Sequence, residues 1–244
     1  MIKYVLFDLD GTLLGMDENQ FVKIYFKSIY QKLFSQIGLS LEQTQLGMIK
    51  TLALLPNDER NNMSNMDKFF DNFSSIYPNI NLNFVKENSD AYYLSSAFDE
   101  CKQSTKRISE MIEVVNLLKT RGIKMAICTN PFFPASAIKK RISWAGLNIE
   151  DFEFVTVGEK SHYLKPNIKY YEEIYSKINE YAKEEILMVG NDVEEDMVSA
   201  QLGFNVYLIK NYLISRKGNE SKILLQGYYE DFYKYVKENI NASC

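Results

Sequence analysis

The sequence predicts an α/β protein, with a doubly wound parallel sheet as its core and an all-helical insertion near the N-terminus. Short apolar runs typical of buried strands begin at Tyr4 and recur after residue 122, in alternation with amphipathic helical patterns. Residues 19–98, in contrast, show only helical periodicity. Polar side chains follow the apolar runs, at the carboxyl ends of strands where such sheets bind ligands.

Bulk properties exclude several classes of protein. The chain has 244 residues, 46% of them hydrophobic, and a formal net charge of −4, which is too small to indicate a nucleic-acid-binding surface. The apolar runs are too short to cross a bilayer, and the N-terminus enters the first predicted strand without a signal peptide. Three widely separated cysteines lack the spacing of zinc ligands. We therefore expect a cytoplasmic protein with no nucleic-acid or membrane partner.

Asp8 and Asp10 follow the first predicted strand and are separated by one residue. Alternate side chains of a strand point the same way, so the two carboxylates are expected to lie close together. At about 4 Å they repel by roughly 4 kcal/mol at an effective dielectric constant of 20. Either a hard divalent cation such as Mg²⁺ or a raised pKa on one aspartate relieves this repulsion. The second remedy makes that aspartate a general acid.

Residues 4–12 form an apolar strand followed by Asp-Leu-Asp-Gly-Thr, and this run resembles the first motif of the haloacid dehalogenase-like hydrolase superfamily. The resemblance implies a Rossmann-like core and Mg²⁺ as cofactor. It further implies that Asp8 is the nucleophile and a metal ligand. Asp10 would be the general acid and base and would also offer its main-chain carbonyl to the metal.

A second predicted strand, residues 123–130, ends in Thr129 and Asn130. By itself a Thr-Asn pair is also ordinary turn chemistry. In this order along the chain, however, it resembles the second motif of the family. The resemblance implies that the Thr129 hydroxyl and nearby N–H groups hold the transferring phosphoryl oxygens, with Asn130 in the same phosphate site.

Two lysines, Lys160 and Lys165, compete for the third motif, which follows a predicted strand over residues 152–157. The family commonly has proline after this lysine, so the Lys165-Pro166 pair favours Lys165. Its ammonium would lie against Asp8 and the phosphate and would partly neutralise their repulsion.

The fourth motif follows the predicted strand over residues 186–190. The strand ends at Gly190, and Asn191 and Asp192 come directly after it. We expect Asp192 to complete the Mg²⁺ site and Asp196, four residues later on a helix start, to orient the metal ligands. The family often has aspartate directly after the glycine, so a shifted register would make Asn191 the ligand instead. Asp192 is preferred because a charged oxygen binds Mg²⁺ better.

The helical region corresponds in position to the type-one cap domain of the family. We place the cap at residues 18–102 and the catalytic core at residues 1–17 and 103–244, with roughly four helices in the cap. The aromatic residues of the cap recur at helical spacing, and we expect them to form mainly the cap's own core.

Together the motifs predict a Mg²⁺-dependent phosphatase that acts on a small phosphorylated metabolite through an aspartyl-phosphate, as a monomer or homodimer. A haloacid dehalogenase would lack the second motif aspartate, so Asp10 argues against that activity. A sugar phosphomutase would use the same motifs. A catalytically silent binding or regulatory module is the remaining alternative, although no motif is degraded.

Overall fold

The structure is a computed structural model, and it describes residues 1–241 of the chain. In chain order the strands are β1 (Tyr4–Phe7), β2 (Leu14–Met16), β3 (Thr105–Arg107), β4 (Lys124–Ile127), β5 (Ile186–Gly190), β6 (Asn205–Ile209) and β7 (Gln226–Gly227). The helices are α1 (Glu18–Lys32), α2 (Leu41–Leu54), α3 (Asn65–Ile76), α4 (Asn83–Leu94), α5 (Ser96–Asp99), α6 (Ser109–Thr120), α7 (Ala135–Ala145), α8 (Ile168–Tyr175) and α9 (Tyr229–Asn239). Residues 242–244, and with them Cys244, lie outside the described part.

Five strands form a parallel sheet in the order β4-β1-β5-β6-β7. β1 lies between β4 and β5, and Phe7 is level with both Ile127 and Val189. Parallel strands in this register end at one edge of the sheet, so the residues that follow each strand meet there. The predicted α/β class with a parallel sheet is confirmed.

Helices cover both faces of the sheet. Along β1 the side chains alternate: Val5 and Phe7 pack into a core shared with α6 and α9, whereas Tyr4 and Leu6 pack against α8 on the other face. Because successive side chains of a strand point to opposite faces, a strand buried on both faces reads as a continuous apolar run. This burial explains why the run at Tyr4 lacks polar alternation.

The helical insertion, defined here as the residues between β2 and β3, contains α1 to α5, and its four longer helices lie where the periodicity predicts them. Local capping fixes their starts. Asp17 caps α1, Ser40 forms a capping box with Gln43 at α2, and Ser64 caps α3. β2 and β3 pair as antiparallel strands. The chain segment that enters the insertion and the one that leaves it therefore lie side by side. Within residues 1–241, no helix has the length and apolarity that a membrane span requires.

The predicted strand over residues 152–157 is only partly correct. The segment runs along the outer edge of β4 and forms a single bridge, between Val155 and Ile127. Hydrogen bonds from the Glu153 and Thr156 amides attach it to β4, at 2.8 and 2.9 Å. Its buried apolar residues give the sequence a strand-like pattern, but the short β4 is its only neighbour and regular pairing does not develop.

Candidate active site

The polar residues that follow β1, β4 and β5 meet around one cavity of about 320 Å³ beneath the helical insertion. Of the predicted site residues, six line this cavity: Asp8, Asp10, Thr129, Asn130, Asp192 and Asp196. Lys165 belongs to the same group of residues, because its side chain donates a hydrogen bond to Asp8. The sheet register therefore brings all the predicted site residues together, although the chain separates them widely.

Lys165 is buried, with 2% of its surface exposed, between two carboxylates. Its Nζ lies 2.9 Å from Asp8 Oδ1 and 2.6 Å from Asp196 Oδ1. Burial lowers the pKa of this ammonium, but the charges of Asp196 and Asp8 outweigh that effect and hold the pKa well above its usual value. Lys165 is therefore a permanent positive charge beside Asp8. The competing Lys160 is exposed.

Asp10 forms an ion pair with Arg141, a residue that the sequence analysis did not identify. Arg141 is buried, and its guanidinium lies over the Phe133 ring, 4.4 Å from the ring centre. Burial raises the pKa of Asp10 to about 6; Arg141 opposes this rise and Asp8 adds to it. The Asp10 Oδ1 atom is buried and has no hydrogen-bond partner within residues 1–241. Asp10 can therefore hold a proton close to neutral pH.

Asn191 and Asp192 have different roles in the structure. The Asn191 amide is fully engaged, because its Oδ1 accepts from the Thr12 hydroxyl at 3.0 Å and its Nδ2 donates to the Tyr212 carbonyl at 2.7 Å. It also packs on Gly11, where φ is +82° and an added Cβ would lie 2.4 Å from Asn191 Nδ2. The Asp192 carboxylate lines the cavity, and its Oδ1 accepts two main-chain N–H groups of the following turn. Asn191 lines the same cavity, so the assignment of Asp192 as the metal ligand stays a prediction.

Asp196 lies in the turn after Asp192 and is the N-cap of a short helix, which is a 3₁₀ helix. Its Oδ2 accepts the Asp192 amide at 3.0 Å while its Oδ1 faces Lys165, and a 3₁₀ helix follows at Met197–Leu202. An added Cβ on Gly190 would lie 2.0 Å from Asp196 Oδ2. This close approach explains the glycine at the end of β5. The Asp196 amide also donates to the Asp192 carbonyl at 2.9 Å, so the folded-back carboxylate adds to the main-chain hydrogen bonding of this turn.

Asn130 connects the second and third motifs. Its Oδ1 accepts the Lys165 amide at 3.2 Å, and its Nδ2 donates to Glu195 Oε2 at 3.0 Å. Thr129 is buried, and its main-chain carbonyl accepts the Tyr170 hydroxyl at 3.0 Å. These contacts fix the two loops relative to each other, and the Asn130 side chain serves mainly to position the Lys165 loop.

The oxygen donors fit a magnesium ion. Asp8, Asp192 and the main-chain carbonyl of Asp10 are hard ligands of the kind that Mg²⁺ prefers. No cluster of three or more His, Cys, Asp or Glu side chains in metal-binding arrangement occurs within residues 1–241, but the expected set needs only two carboxylates. Arg216 supplies positive charge at Asp192: its Nη1 lies 2.9 and 2.7 Å from the two carboxylate oxygens.

Arg141 and Arg216 are the two cationic side chains of the cavity lining that sequence reasoning missed. Arg141 left a signal, because helical spacing places it on the buried face of α7 with Ile138 and Ile142. A charged residue at such a position needs a buried partner. Arg216 left no signal, since it lies in an aperiodic loop between β6 and β7.

Comparisons with known proteins bear on the family and the fold of this chain. A family model described as haloacid dehalogenase-like hydrolase matches residues 2–202. No curated protein sequence matches the chain significantly. A HAD phosphatase structure from Thermococcus onnurineus has 17% identity and a TM-score of 0.62, with 99% of this chain and 100% of that chain covered.

Two further structures have the same fold over nearly their whole length. One is the provisionally assigned HAD-hydrolase YfnB from Bacillus subtilis, bound to magnesium, with 19% identity, a TM-score of 0.57, and 98% and 99% of the two chains covered. The other is a provisionally assigned β-phosphoglucomutase from Thermotoga maritima, with 16% identity, a TM-score of 0.59, and 98% and 100% covered. At these identities the likeness shows the fold alone.

Proposed function

This chain belongs to the haloacid dehalogenase-like hydrolases, and on that basis we propose that it is a Mg²⁺-dependent phosphatase for a small phosphorylated metabolite. The observation that carries the proposal is the arrangement of Asp8. Its carboxylate is held by the Lys165 ammonium on the wall of the same cavity as Asp10, whose pKa is about 6. A fixed nucleophile beside an acid that can gain and lose a proton near neutral pH suits attack on a phosphate ester.

In the first step, Asp8 attacks phosphorus. Lys165 holds Oδ1, which leaves Oδ2 to form the new bond to phosphorus. The bond between phosphorus and the leaving oxygen breaks as Asp10 gives its proton to that oxygen. The products are the free alcohol and an aspartyl-phosphate on Asp8.

In the second step, the ionised Asp10 takes a proton from a water molecule, which attacks phosphorus. The Asp8–phosphorus bond breaks and inorganic phosphate leaves. In both steps Thr129 and Lys165 stabilise charge on the phosphoryl oxygens, and Asn130 keeps Lys165 in position. Mg²⁺ held by Asp8, the Asp10 carbonyl and Asp192, with Asp196 orienting these ligands, would supply further positive charge there.

We propose residues 18–102 as a cap and residues 1–17 with 103–244 as the core. Two buried side chains of α3 support this, because they fasten the cap over the site. Asn65 Nδ2 donates to the carbonyls of Pro131 and Tyr163, at 3.2 and 3.1 Å, and Lys68 Nζ donates to the His162 carbonyl at 2.6 Å. The closed cap would exclude bulk water from the aspartyl-phosphate.

The test is phosphate release from p-nitrophenyl phosphate, with and without Mg²⁺. Wild type should be active only with Mg²⁺, and Asp8→Asn should lose at least about 1,000-fold in kcat. Asp90→Asn, at an exposed position on α4, is the matched control and should retain full activity. Activity that survives Asp8→Asn would refute Asp8 as the nucleophile. An inactive wild type would favour a silent binding module, and isomer formation from a sugar phosphate would favour a mutase.

A further inference from the structure

The cavity has two chemically different ends. The motif acids and Thr129 form one end. The opposite wall comes from the cap and the loop after β4, and it is lined by apolar and aromatic side chains: Phe21, Val22, Tyr25, Phe26, Leu52 and Phe132. The part of a substrate that lies beyond the phosphate would therefore contact this apolar wall.

The remaining charged residues of the lining are Glu18, Arg141, Glu195 and Arg216, and the last three contact residues of the acidic end or its loops. Arg141 is paired with Asp10, and Arg216 is paired with Asp192. Glu195 accepts a hydrogen bond from Asn130. Each of these three side chains is thus already bonded at the acidic end, and the Arg141 guanidinium also lies over the Phe133 ring, next to the aromatic side chains.

Tyr25 adds an aromatic surface to the wall but no free hydroxyl. Its OH lies 2.7 Å from the Tyr93 OH, and this pair is buried. Among the cap residues that line the described cavity, Glu18 is then the only one with a hydrogen-bonding group not already bonded to a protein side chain. Sugar hydroxyls placed against this wall would lose water without gaining partners.

Packing fixes the aromatic wall in place. The Tyr25 and Phe133 rings meet edge to face at 5.3 Å, and Phe21 contacts Phe133 in the same way at 6.3 Å. A smaller, mostly apolar cavity of about 50 Å³ adjoins the first and shares Tyr25, Leu52 and Phe132 with it. Apolar surface therefore continues beyond the wall. Helical spacing predicts that the cap aromatics form mainly the core of the cap. Some of them also line the cavity.

We propose that the substrate is a phosphate monoester whose leaving group is an uncharged apolar or aromatic ring, not a polyhydroxylated sugar. This inference rests on the proposed phosphatase function, because it takes the acidic end as the phosphate site. Burial of a ring against this wall is favourable, whereas burial of several hydroxyls is not.

Cyclohexylmethyl phosphate and glucose 6-phosphate form a matched pair of probes. Both are primary alkyl phosphates with a six-membered ring, so they differ mainly in the hydroxyls. Their binding to Asp8→Asn, measured by calorimetry with Mg²⁺, tests recognition without turnover. We expect at least tenfold tighter binding of the cyclohexylmethyl ester. Equal affinities, or a preference for the sugar ester, would overturn the inference.

Two variants of α2 test the wall itself, each made in the Asp8→Asn background. Leu52→Gln places an amide in the cavity and should reduce the affinity ratio at least fivefold. Leu54→Gln makes the same change at a residue on α2 that is 52% exposed and does not line the cavity, so the ratio should not change. A ratio that responds equally to both variants would refute the proposed wall.

Turnover of the two esters by wild type separates the two proposals. If the cyclohexylmethyl ester binds more tightly but no ester is hydrolysed, the inference about recognition stands and the phosphatase function fails. If both esters are hydrolysed with equal kcat/KM and bind equally, the phosphatase function stands and the inference fails.

Discussion

Arg216 donates to both carboxylate oxygens of Asp192 through a single nitrogen, Nη1, at 2.9 and 2.7 Å. The loop that carries it is held by main-chain pairing, in which the Val193 amide donates to the Ile214 carbonyl and the Ile214 amide to the Asn191 carbonyl, both at 2.9 Å. The guanidinium is thus a fixed cation on the proposed metal ligand. It opposes the binding of a second cation there.

Arg216→Gln should therefore strengthen Mg²⁺ binding. The Arg216 side chain is 52% exposed, so solvent screens the ion pair and we expect its loss to be worth about 1 kcal/mol, or roughly fivefold in Kd. The measurement is a Mg²⁺ titration followed by calorimetry and by the thermal midpoint. Lys217→Gln removes a charge from the same exposed loop but not the partner of Asp192, so it should leave Kd unchanged. Weaker Mg²⁺ binding by Arg216→Gln would show that the arginine assists the metal.

Substitutions at Asp192 and Asn191 decide which residue binds the metal. Asp192→Asn removes a charged oxygen and should weaken Mg²⁺ binding at least about tenfold. Asn191→Ala instead removes the contacts to Thr12 and Tyr212, so it should lower the thermal midpoint and change the Mg²⁺ affinity less. The same calorimetric titration gives both affinities. The reverse ranking would move the ligand to Asn191.

Lys68→Met should loosen the cap. Lys68 is 1% exposed, and its Nζ donates to the carbonyls of Asp58 and His162, at 2.8 and 2.6 Å. The variant leaves two half-buried carbonyls without this partner, which we expect to cost about 2 kcal/mol and to lower the thermal midpoint by roughly 5 °C. Lys50→Met, at an exposed position of α2, should leave the midpoint within about 1 °C of wild type. Equal midpoints for Lys68→Met and wild type would show that these hydrogen bonds do not hold the cap.

Asp58→Asn should destabilise the protein in a pH-dependent way. Hydrogen bonds from Arg60 are the main cause that lowers the Asp58 pKa from 3.8 to about 2, against an opposing effect of burial. Because the folded-state pKa is depressed, the stabilisation is complete above about pH 4 and is lost as the pH falls through about 2. With Arg60 39% exposed, we expect a difference of about 1 kcal/mol at pH 7, or roughly 3 °C in the thermal midpoint.

The thermal midpoints of wild type and Asp58→Asn at pH 7, 5 and 3 test this expectation. The difference should be constant from pH 7 to pH 5 and smaller at pH 3. Asp90→Asn should show no such trend, since within residues 1–241 the exposed Asp90 carboxylate accepts a hydrogen bond only from the Ser136 hydroxyl. A difference that is the same at all three pH values would mean that Asp58 acts through packing and not through its charge.

The residues at the strand ends could be predicted from the sequence, because the apolar runs mark where each strand ends and the geometry of a parallel sheet brings those ends together. Asp8, Thr129 and Asp192 each follow an apolar run within two residues, and parallel strands in register end at one edge. The same rules failed for residues 152–157, because burial on both sides produces a strand-like pattern even where only one neighbour is available for pairing. At Asp196 the main chain keeps a helical hydrogen bond to the Asp192 carbonyl, whereas the side-chain contact with Lys165 spans 31 residues and is not encoded in the local pattern.

The two arginines of the cavity depend on contacts that no local pattern encodes. Arg141 meets Asp10 across 131 residues of sequence, and Arg216 meets Asp192 across 24. The first contact follows from the packing of α7 over the sheet. The second follows from main-chain pairing between two loops, which leaves no periodicity in either segment. Long-range contacts of this kind become visible only once the fold is known.

The short ladder between β2 and β3 makes the helical insertion an exchangeable module. β2 ends at Met16 before the insertion, and β3 begins at Thr105 after it. These two residues are paired across adjacent antiparallel strands, which lie about 4.8 Å apart. A two-residue turn could close that gap without moving the core strands. Replacement of the whole insertion could therefore change the proposed leaving-group wall, while the acids and the lysine of the proposed catalytic site stay in place.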